Sequence, residues 1–427
     1  MLRVNLSVNL IAMVPTSDAT YDSSQVTLDW TPYQRAQVLS SYFWGYVVSN
    51  LFGGVISSRY GPRLVALVVI AISALLSILS PPAAKHSYIL MLIVRITIGF
   101  CNGFIYPAMS ILIGYWAVPN ERGTFVAALI GGAIGTFLTW SLGGVIIENF
   151  GWEWGFYTFG IVALIYCIPW WFYTYDSPEK HPKISLEELQ YIKEGTQHSK
   201  ITKHFPPYTR ILTSLPVWSA MVANFGTGWG IYFVITAAPS YLSSTLGYKL
   251  SATGALSGVI YLCRSTACFG SGALGDFLLK REVIKVQVLR RLVTIASHVI
   301  PGALLLCLTI PGYSPILYVS LIVLAMTLNG TVPLSSAANA FDLTSNFVGA
   351  VSGIVAATIT AAGIISPFVT AYFTKYNETN PDAWRPVFYV GSMVYIMSGL
   401  QFMILGSTQK QPWDEIEQSE KENTEKV

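Results

Sequence analysis

Apolar residues in this chain come in blocks rather than in alternation: long stretches nearly free of charge are separated by short polar turns. A helix needs roughly 20 apolar residues to cross the hydrocarbon of a bilayer, because backbone groups left unpaired in lipid are too costly for any looser structure. The blocks therefore predict eleven full spans, at Val38–Ser57, Leu64–Ser80, Tyr88–Trp116, Gly123–Ile147, Trp152–Tyr173, Val217–Leu242, Thr253–Leu279, Leu292–Ile310, Pro315–Phe341, Phe347–Phe373 and Val387–Gly406. A twelfth, Met1–Val14, reads MLRVNLSVNLIAMV and is apolar, but has only about half the length of a full crossing. The first span is thus expected to be truncated: either residues upstream of it are missing, or the segment enters the bilayer part way.

The longest polar interruption, Thr174–Ser214, contains Pro178, Pro182, Pro206 and Pro207 and leaves six apolar segments on each side. The expected architecture is an all-α membrane protein of two six-helix bundles, 1–175 and 215–406, joined by a central loop over 176–214 and followed by a polar tail over 407–427. Within the loop, Ser185 followed by Glu188 forms a capping box for a short helix over Leu186–Glu194. Composition agrees with this plan. Of 427 residues, 53% are hydrophobic and 11% charged, with a mean hydropathy of +0.52, well outside the range of soluble domains.

Lys and Arg exceed Asp and Glu by only 25 to 22 and form no dense run, which gives no case for a nucleic-acid partner. Their distribution carries more information than their number. The loops after spans 2, 4, 6 and 8 hold fourteen basic residues, from Arg59, Arg63 and Arg122 to Arg290 and Arg291; the opposite loops hold five, Arg35, Lys85, Lys249, Lys375 and Arg385. Basic residues in short loops stay inside, so the central loop and the C-terminal tail are expected in the cytoplasm. The N-terminus has no cleavable signal pattern. The five cysteines lie in apolar stretches without metal-ligand spacing and read as packing thiols. No nucleophile, metal cluster or acid/base pair is evident in the spans, so neither an enzyme, a metal nor a cofactor is expected.

Two loops occupy equivalent places in the two halves. One is GGVISSRYGPR, with Gly54, Arg59 and Arg63; the other is GALGDFLLKR, with Gly272, Asp276 and Arg281. Glycine lets helices approach while the charges bridge helix ends, which suits a latch on one state of a rocking carrier. Gly131-x-x-x-Gly135 and Gly349-x-x-x-Gly353 read as helix-packing signals. Arg95 lies within span 4, and Gly99, Asn102, Gly103 and Tyr106 follow it on one helix face. A charge in a membrane helix costs at least ~2.5 kcal/mol, so such a residue faces water, an ion partner or the interface. Arg3 and Arg264 pose the same question in spans 1 and 8, where Arg264 either meets the substrate or pairs structurally. His298 in span 9 reads as an interhelical hydrogen bond.

The paired loops resemble the signature of the major facilitator superfamily, and longer stretches resemble its anion:cation symporter branch, which includes sialin, the vesicular glutamate transporters and the sodium-phosphate cotransporters. The similar stretches are Arg3–Val14, Leu28–Tyr46, Arg95–Ala108, His181–Ile192, Leu212–Phe225 and QKQPWDE over Gln409–Glu415. Within the branch the chain is most similar to the insect proteins described as inorganic phosphate cotransporters. The resemblance implies anion contact for Arg95 and Arg3. It does not call for Arg264.

The departures narrow the substrate. Sialin-like members carry carboxylates where Ile98 and Asn102 stand here, and the glutamate carriers have an arginine at the place of Thr227 and a histidine at that of Leu39. Glutamate is therefore disfavoured against phosphate or another organic anion, and the missing carboxylates favour sodium over a proton as the coupled ion. The expected function is symport of a small anion with a cation by alternating access, with Tyr42, Tyr46, Tyr106, Tyr232 and Asn102 offering hydrogen bonds beside the arginines. The alternatives are a transport-inactive anion sensor and a proton-coupled exporter of acidic sugars or organic anions. A monomer among lipids, in the plasma membrane or a lysosomal or vesicle membrane, is expected. Asn377-Glu-Thr is a glycosylation sequon in an exterior loop; Asn5-Leu-Ser and Asn329-Gly-Thr lie in spans.

Overall fold

The computed structural model describes residues 1–14, 27–118, 131–196, 206–281 and 283–414, with the side chains of Leu51, Thr196 and Asp276 outside the description. The expected tail beyond Asp414, the basic residues Arg122, Lys200 and Lys203, and the first turns of the Gly123–Ile147 span also lie outside the described residues. The first bundle contains α1 (Asn5–Met13), α2 (Pro32–Tyr60), α3 (Pro62–His86), α4 (Tyr88–Asn102), α5 (Ile105–Trp116), α6 (Gly131–Phe150) and α7 (Trp152–Tyr173); α8 (Leu186–Thr196) lies in the connection. The second contains α9 (Leu215–Thr236), α10 (Leu250–Lys280), α11 (Val286–Thr294), α12 (Ile300–Cys307), α13 (Pro315–Asn329), α14 (Val348–Thr374) and α15 (Pro381–Leu405).

Among the described residues, seven helices are long and apolar enough to cross a membrane, or eight if α9 and the bent continuation Ala238–Thr245 count as one. The long helices that fall short, α2, α6 and α10, are ones that pack across the bundle interface: α2 lies against α14, and α6 against α10. Several of their polar and small residues, among them Ser40, Ser41, Ser49, Ser257, Gly45, Gly144, Gly254 and Gly258, are buried against other helices, which lowers hydropathy at the crossings.

Helix ends follow local chemistry. Thr31 and Gln34 form a reciprocal capping box at the start of α2, followed by Pro32, whose missing N–H costs nothing in the first turn. Gly61, with φ +89°, turns α2 into α3, and Gly151, with φ +92°, turns α6 into α7. Ser185 Oγ accepts from Glu188 N at 3.1 Å and starts α8, as the capping signal implies. The first helix packs into the fold: all nine residues of α1 are buried, and Trp140 of α6 donates to Val4 O at 2.9 Å, tying it down.

Several expected spans contain an irregular turn. Span 4 runs as one stretch over Tyr88–Trp116 but tightens between α4 and α5, where Gly103 N bonds Gly99 O and Phe104 N bonds Cys101 O. Span 9 contains a π-helical turn over Ile295–Val299. Span 10 unwinds after Asn329 into a short 3₁₀ turn, Val332–Leu334, before the Asn339–Leu343 helix. Spans 4 and 10 are equivalent in the two halves, so their irregular turns are too.

The two bundles meet at the ends remote from the connection, here the distal face. A Cβ on Gly144 would sit 2.6 Å from Leu250 O, Glu148 Oε2 accepts from Ser251 N at 2.9 Å, and Arg35 pairs with Glu378 at 2.7 Å. At the connection face, glycines of these same helices meet nothing within 4 Å among the described residues: Gly54, Gly131, Gly135, Gly272, Gly349 and Gly353. This corrects the packing reading of the two Gly-x-x-x-Gly pairs, whose faces are apart in this arrangement of the bundles.

Candidate functional site

A close helix crossing in the first bundle delivers Arg95 to its neighbours. Added Cβ atoms on Gly45, Gly99 and Gly103 would strike the backbone or side chains of the facing helix, Gly99 running into Tyr42 O. Gly99 in α4 and Gly103 directly after it thus let this span lie against α2, and Arg95, one turn before Gly99, is 2% exposed with its guanidinium carbon 5.5 Å from the centre of the Tyr42 ring. Its Nη1 and Nη2 donate to the carbonyls of Leu2 and Arg3, each at 3.4 Å. Arg3 lies over Tyr232 of the second bundle at 5.7 Å, Tyr232 meets Phe43 edge-on at 4.5 Å, and Tyr42 stacks with Tyr46 at 6.0 Å. On the other side Trp140 meets Tyr261 edge-on at 5.9 Å.

Two cations therefore lie within an aromatic shell drawn from both bundles. Among the described residues, neither pairs with a carboxylate. Cation–π contacts of about 0.5–2 kcal/mol each offset only part of the cost of charge in a membrane, so the pair retains positive potential for an anion. A cavity of about 10 Å³ separates Arg3 and Arg95 from Leu39 and Thr236. Those two residues also line a larger distal cavity of about 780 Å³. The small space holds about one water; an anion entering from the distal face has to move that floor.

Not every expected site residue gathers here. The face expected to run from Arg95 to Tyr106 does not stay with the arginines past the tightened turn after Asn102: Tyr106 is 64% exposed, Asn102 is half-buried, and neither lines the arginine cavity. Arg264 is half-buried and donates through Nε to Asn329 Oδ1 at 3.0 Å. Thr227 bonds His298 Nε2 at 3.2 Å inside the second bundle, away from the arginines, whereas Leu39 lines both cavities. His298 is fully buried and held by Ala223 O and Ser297 Oγ at 2.9 and 2.8 Å, a satisfied interhelical histidine. Sequence reasoning missed Phe43, Tyr261 and Trp140. The last left a signal, since a Trp in a Gly-rich span needs an acceptor for its N–H.

The paired loops act within their own bundles here. Arg63 N donates to Asp176 Oδ1 at 2.9 Å, and its guanidinium lies over Trp171 and Tyr175 at 4.4 and 5.0 Å and donates to Trp171 O. Arg59 and Arg281 are exposed and lie over Tyr60 and Phe277. The side chain of Asp276 is outside the described residues. The sequon Asn377 is exposed, its Oδ1 accepting from Thr379 N at 3.1 Å. The run Gln409–Asp414 folds back onto the connection face. Asp414 accepts from Thr344 Oγ1, from Ser345 N at 2.9 Å and from Asn346 N at 3.0 Å. Burial alone would raise the Asp414 carboxyl; these three donors outweigh it and hold the group below the usual carboxylate range.

A sequence profile of the Major Facilitator Superfamily matches residues 3–344. The chain belongs to the major facilitator superfamily. Within it, the relatives place the chain in the anion:cation symporter branch. The uncharacterized transporter slc-17.2 of Caenorhabditis elegans is 30% identical over 97% of this chain and 90% of its own. Vesicular glutamate transporter 1 of Bos taurus is 29% identical over 99% and 76%, and vesicular glutamate transporter 2 of Homo sapiens is 28% identical over 99% and 74%. Among solved structures, a bacterial homolog of the human lysosomal transporter Spinster, inward-facing and occupied, superposes with a TM-score of 0.72 at 10% identity, covering 96% of this chain and 95% of that one. The D-xylose–proton symporter does so with 0.68 at 14%, covering 96% of each. These likenesses establish the facilitator fold, and the chain is an integral membrane transporter.

Proposed function

We propose that this transporter moves a small anion, inorganic phosphate or an organic carboxylate, in symport with a cation, sodium in the first place. The observation that carries the proposal is the pair Arg3, half-buried, and Arg95, buried, at the bundle interface, ringed by Tyr42, Tyr46 and Tyr232 and free of any carboxylate partner among the described residues. Two guanidinium groups supply forked donors suited to an oxyanion, and residues from both bundles close on one place, as rocking requires. The positive-inside pattern supports a cytoplasmic connection face, in which case the bundles in this structure are closed outward and apart inward.

The relatives' names include glutamate, but Leu39 and Ile98 place aliphatic groups where the related carriers have ionisable ones. Smaller or less demanding anions suit that lining. The test is uptake by purified protein in sealed vesicles, with radiolabelled phosphate, glutamate and sialic acid each under sodium and proton gradients. Phosphate uptake that rises with an inward sodium gradient and persists when the pH gradient is collapsed supports the proposal. Uptake in choline that a protonophore abolishes overturns the sodium part, and anion binding without flux in any gradient overturns transport in favour of a sensor.

A further inference from the structure

The unwound stretch after α13 gathers buried oxygens that no donor reaches. Asn224 of α9 is 1% exposed and gives both amide protons away, to Ala220 O at 2.9 Å and Ser336 O at 3.2 Å. Asn339, fully buried, gives its own to Ser407 O at 2.8 Å and Asp342 Oδ2 at 3.5 Å, while its backbone N reaches Ser336 O at 3.3 Å. Those acceptors fix which end of each amide is oxygen. Among the described residues, Asn224 Oδ1, Asn339 Oδ1 and Ser336 Oγ remain buried without a hydrogen-bond partner, and the N–H donations of Asn224 and Asn339 to the Ser336 carbonyl hold the three residues side by side. Buried polar atoms left in this way call for a bound water or ion.

A second orphaned cluster shows the difference. Asn5 and Asn9 of α1 are also buried, but there both nitrogen and oxygen of each amide lack partners, a need for donors and acceptors together that water meets. Around Ser336 the amide nitrogens are committed and the unfilled groups are oxygens, the kind of atom that an alkali cation takes as ligand. We infer that Asn224, Ser336 and Asn339 form a site for a monovalent alkali cation, sodium in the first place. The donors are neutral hard oxygens. Among the described residues, the carboxylate beside them, Asp342, is tied to Arg290 by hydrogen bonds of 2.9 and 3.2 Å, so the pair brings no net charge, and a divalent ion, which takes carboxylates, is disfavoured. Unwound transporter helices hold coupling ions in this way.

The site also adjoins Arg264. The unwound stretch starts directly after Asn329, which holds Arg264 at 3.0 Å, and Gly330 packs against the Arg264 backbone carbonyl. An ion that orders residues 330–338 therefore bears on the pose of the half-buried Arg264. The inference rests on the sodium-coupled reading above.

The test uses the full chain in detergent, with direct binding of sodium-22, and phosphate uptake in vesicles as a separate measurement. Ser336→Ala and Asn224→Ser should each weaken sodium-22 binding about tenfold, the scale of one lost charge-assisted ligand, while thermal unfolding in choline stays close to that of the natural chain. Saturable binding that neither variant weakens overturns the site but leaves sodium coupling standing. Absence of saturable sodium-22 binding to the natural chain overturns the site outright. If phosphate uptake is then also independent of sodium, the coupling proposal falls with it. Should Asn224→Ser fail to fold, Ser336→Ala, which removes one hydroxyl, decides alone.

Discussion

Closure of the distal face can be probed with one methyl group at Gly144. A Cβ there would lie 2.6 Å from Leu250 O, 3.0 Å from Ser251 Cα and 3.3 Å from the Leu250 carbonyl carbon. All three are backbone atoms and cannot rotate away, so relief requires α6 and α10 to separate where Glu148 accepts from Ser251 N. Overpacking of this kind costs about 1–3 kcal/mol, which moves the balance between distal-closed and distal-open arrangements by a factor of roughly 5 to 150. The assay is thiol labelling of Thr236→Cys, a residue 4% exposed at the floor of the distal cavity, on a background in which the five native cysteines are serine. Gly144→Ala should raise the labelling rate about fivefold or more. Gly135→Ala, on the same helix but with nothing within 4 Å of its Cβ among the described residues, should not raise it. Equal rates in the parent and Gly144→Ala would refute the closure argument, and an equal rise in both variants would show general loosening instead.

Three further outcomes follow from the same geometry. Arg95→Ala should abolish anion uptake while the protein still inserts and Arg95→Lys should be partly tolerated, because an ammonium keeps the charge but loses the fork; natural rates and affinity in Arg95→Ala would remove it from the anion path. A tag inserted within 197–205 should resist protease added outside intact cells, and its removal there would invert the proposed sidedness. Asp414→Ala should cost about 1.5–3 kcal/mol, the loss of hydrogen bonds to a charged acceptor. Because the folded-state pKa is depressed, that stability is present above about pH 4 and is lost as pH falls through the folded value, so Asp414→Ala should flatten the acid limb of a thermal-unfolding profile; an unchanged acid limb would refute it.

The spans were legible because lipid leaves the backbone so few options: block length alone fixes where helices must run. Irregular turns inside them were not. Proline gives no reliable sign, since Pro81, Pro82, Pro169, Pro367 and Pro386 all lie inside continuous helices, where neighbouring helices and local adjustments satisfy the freed groups. Nor does glycine spacing say which helix it faces, or in which state. Gly99 and Gly103 are in tight contact with α2, while Gly131, Gly135, Gly349 and Gly353 meet nothing within 4 Å among the described residues. The arginines were legible as costly charges. Their partners were not, because Arg95 bonds the backbone of Leu2 and Arg3, and a carbonyl has no sequence signature.

The equivalent irregular turns in spans 4 and 10 give this limit a mechanical meaning. Arg95 lies two turns before the irregularity at Gly103, and Asn329, which holds Arg264, lies immediately before the unwinding at Gly330. In each half, then, a residue bearing on a charge within a span sits on the rigid side of an irregularity, while the chain beyond it leads to the connection face. A regular helix would transmit any tilt of its connection-side half to the charged residue; an irregular turn lets that half swing while the charge keeps its neighbours. If rocking opens and closes the connection face, the irregular turns are where span 4 and span 10 absorb the motion. The helices without such turns at the interface, α6 and α10, then have to move as rods, which is why a single methyl group at their distal crossing is expected to change the balance of the whole protein.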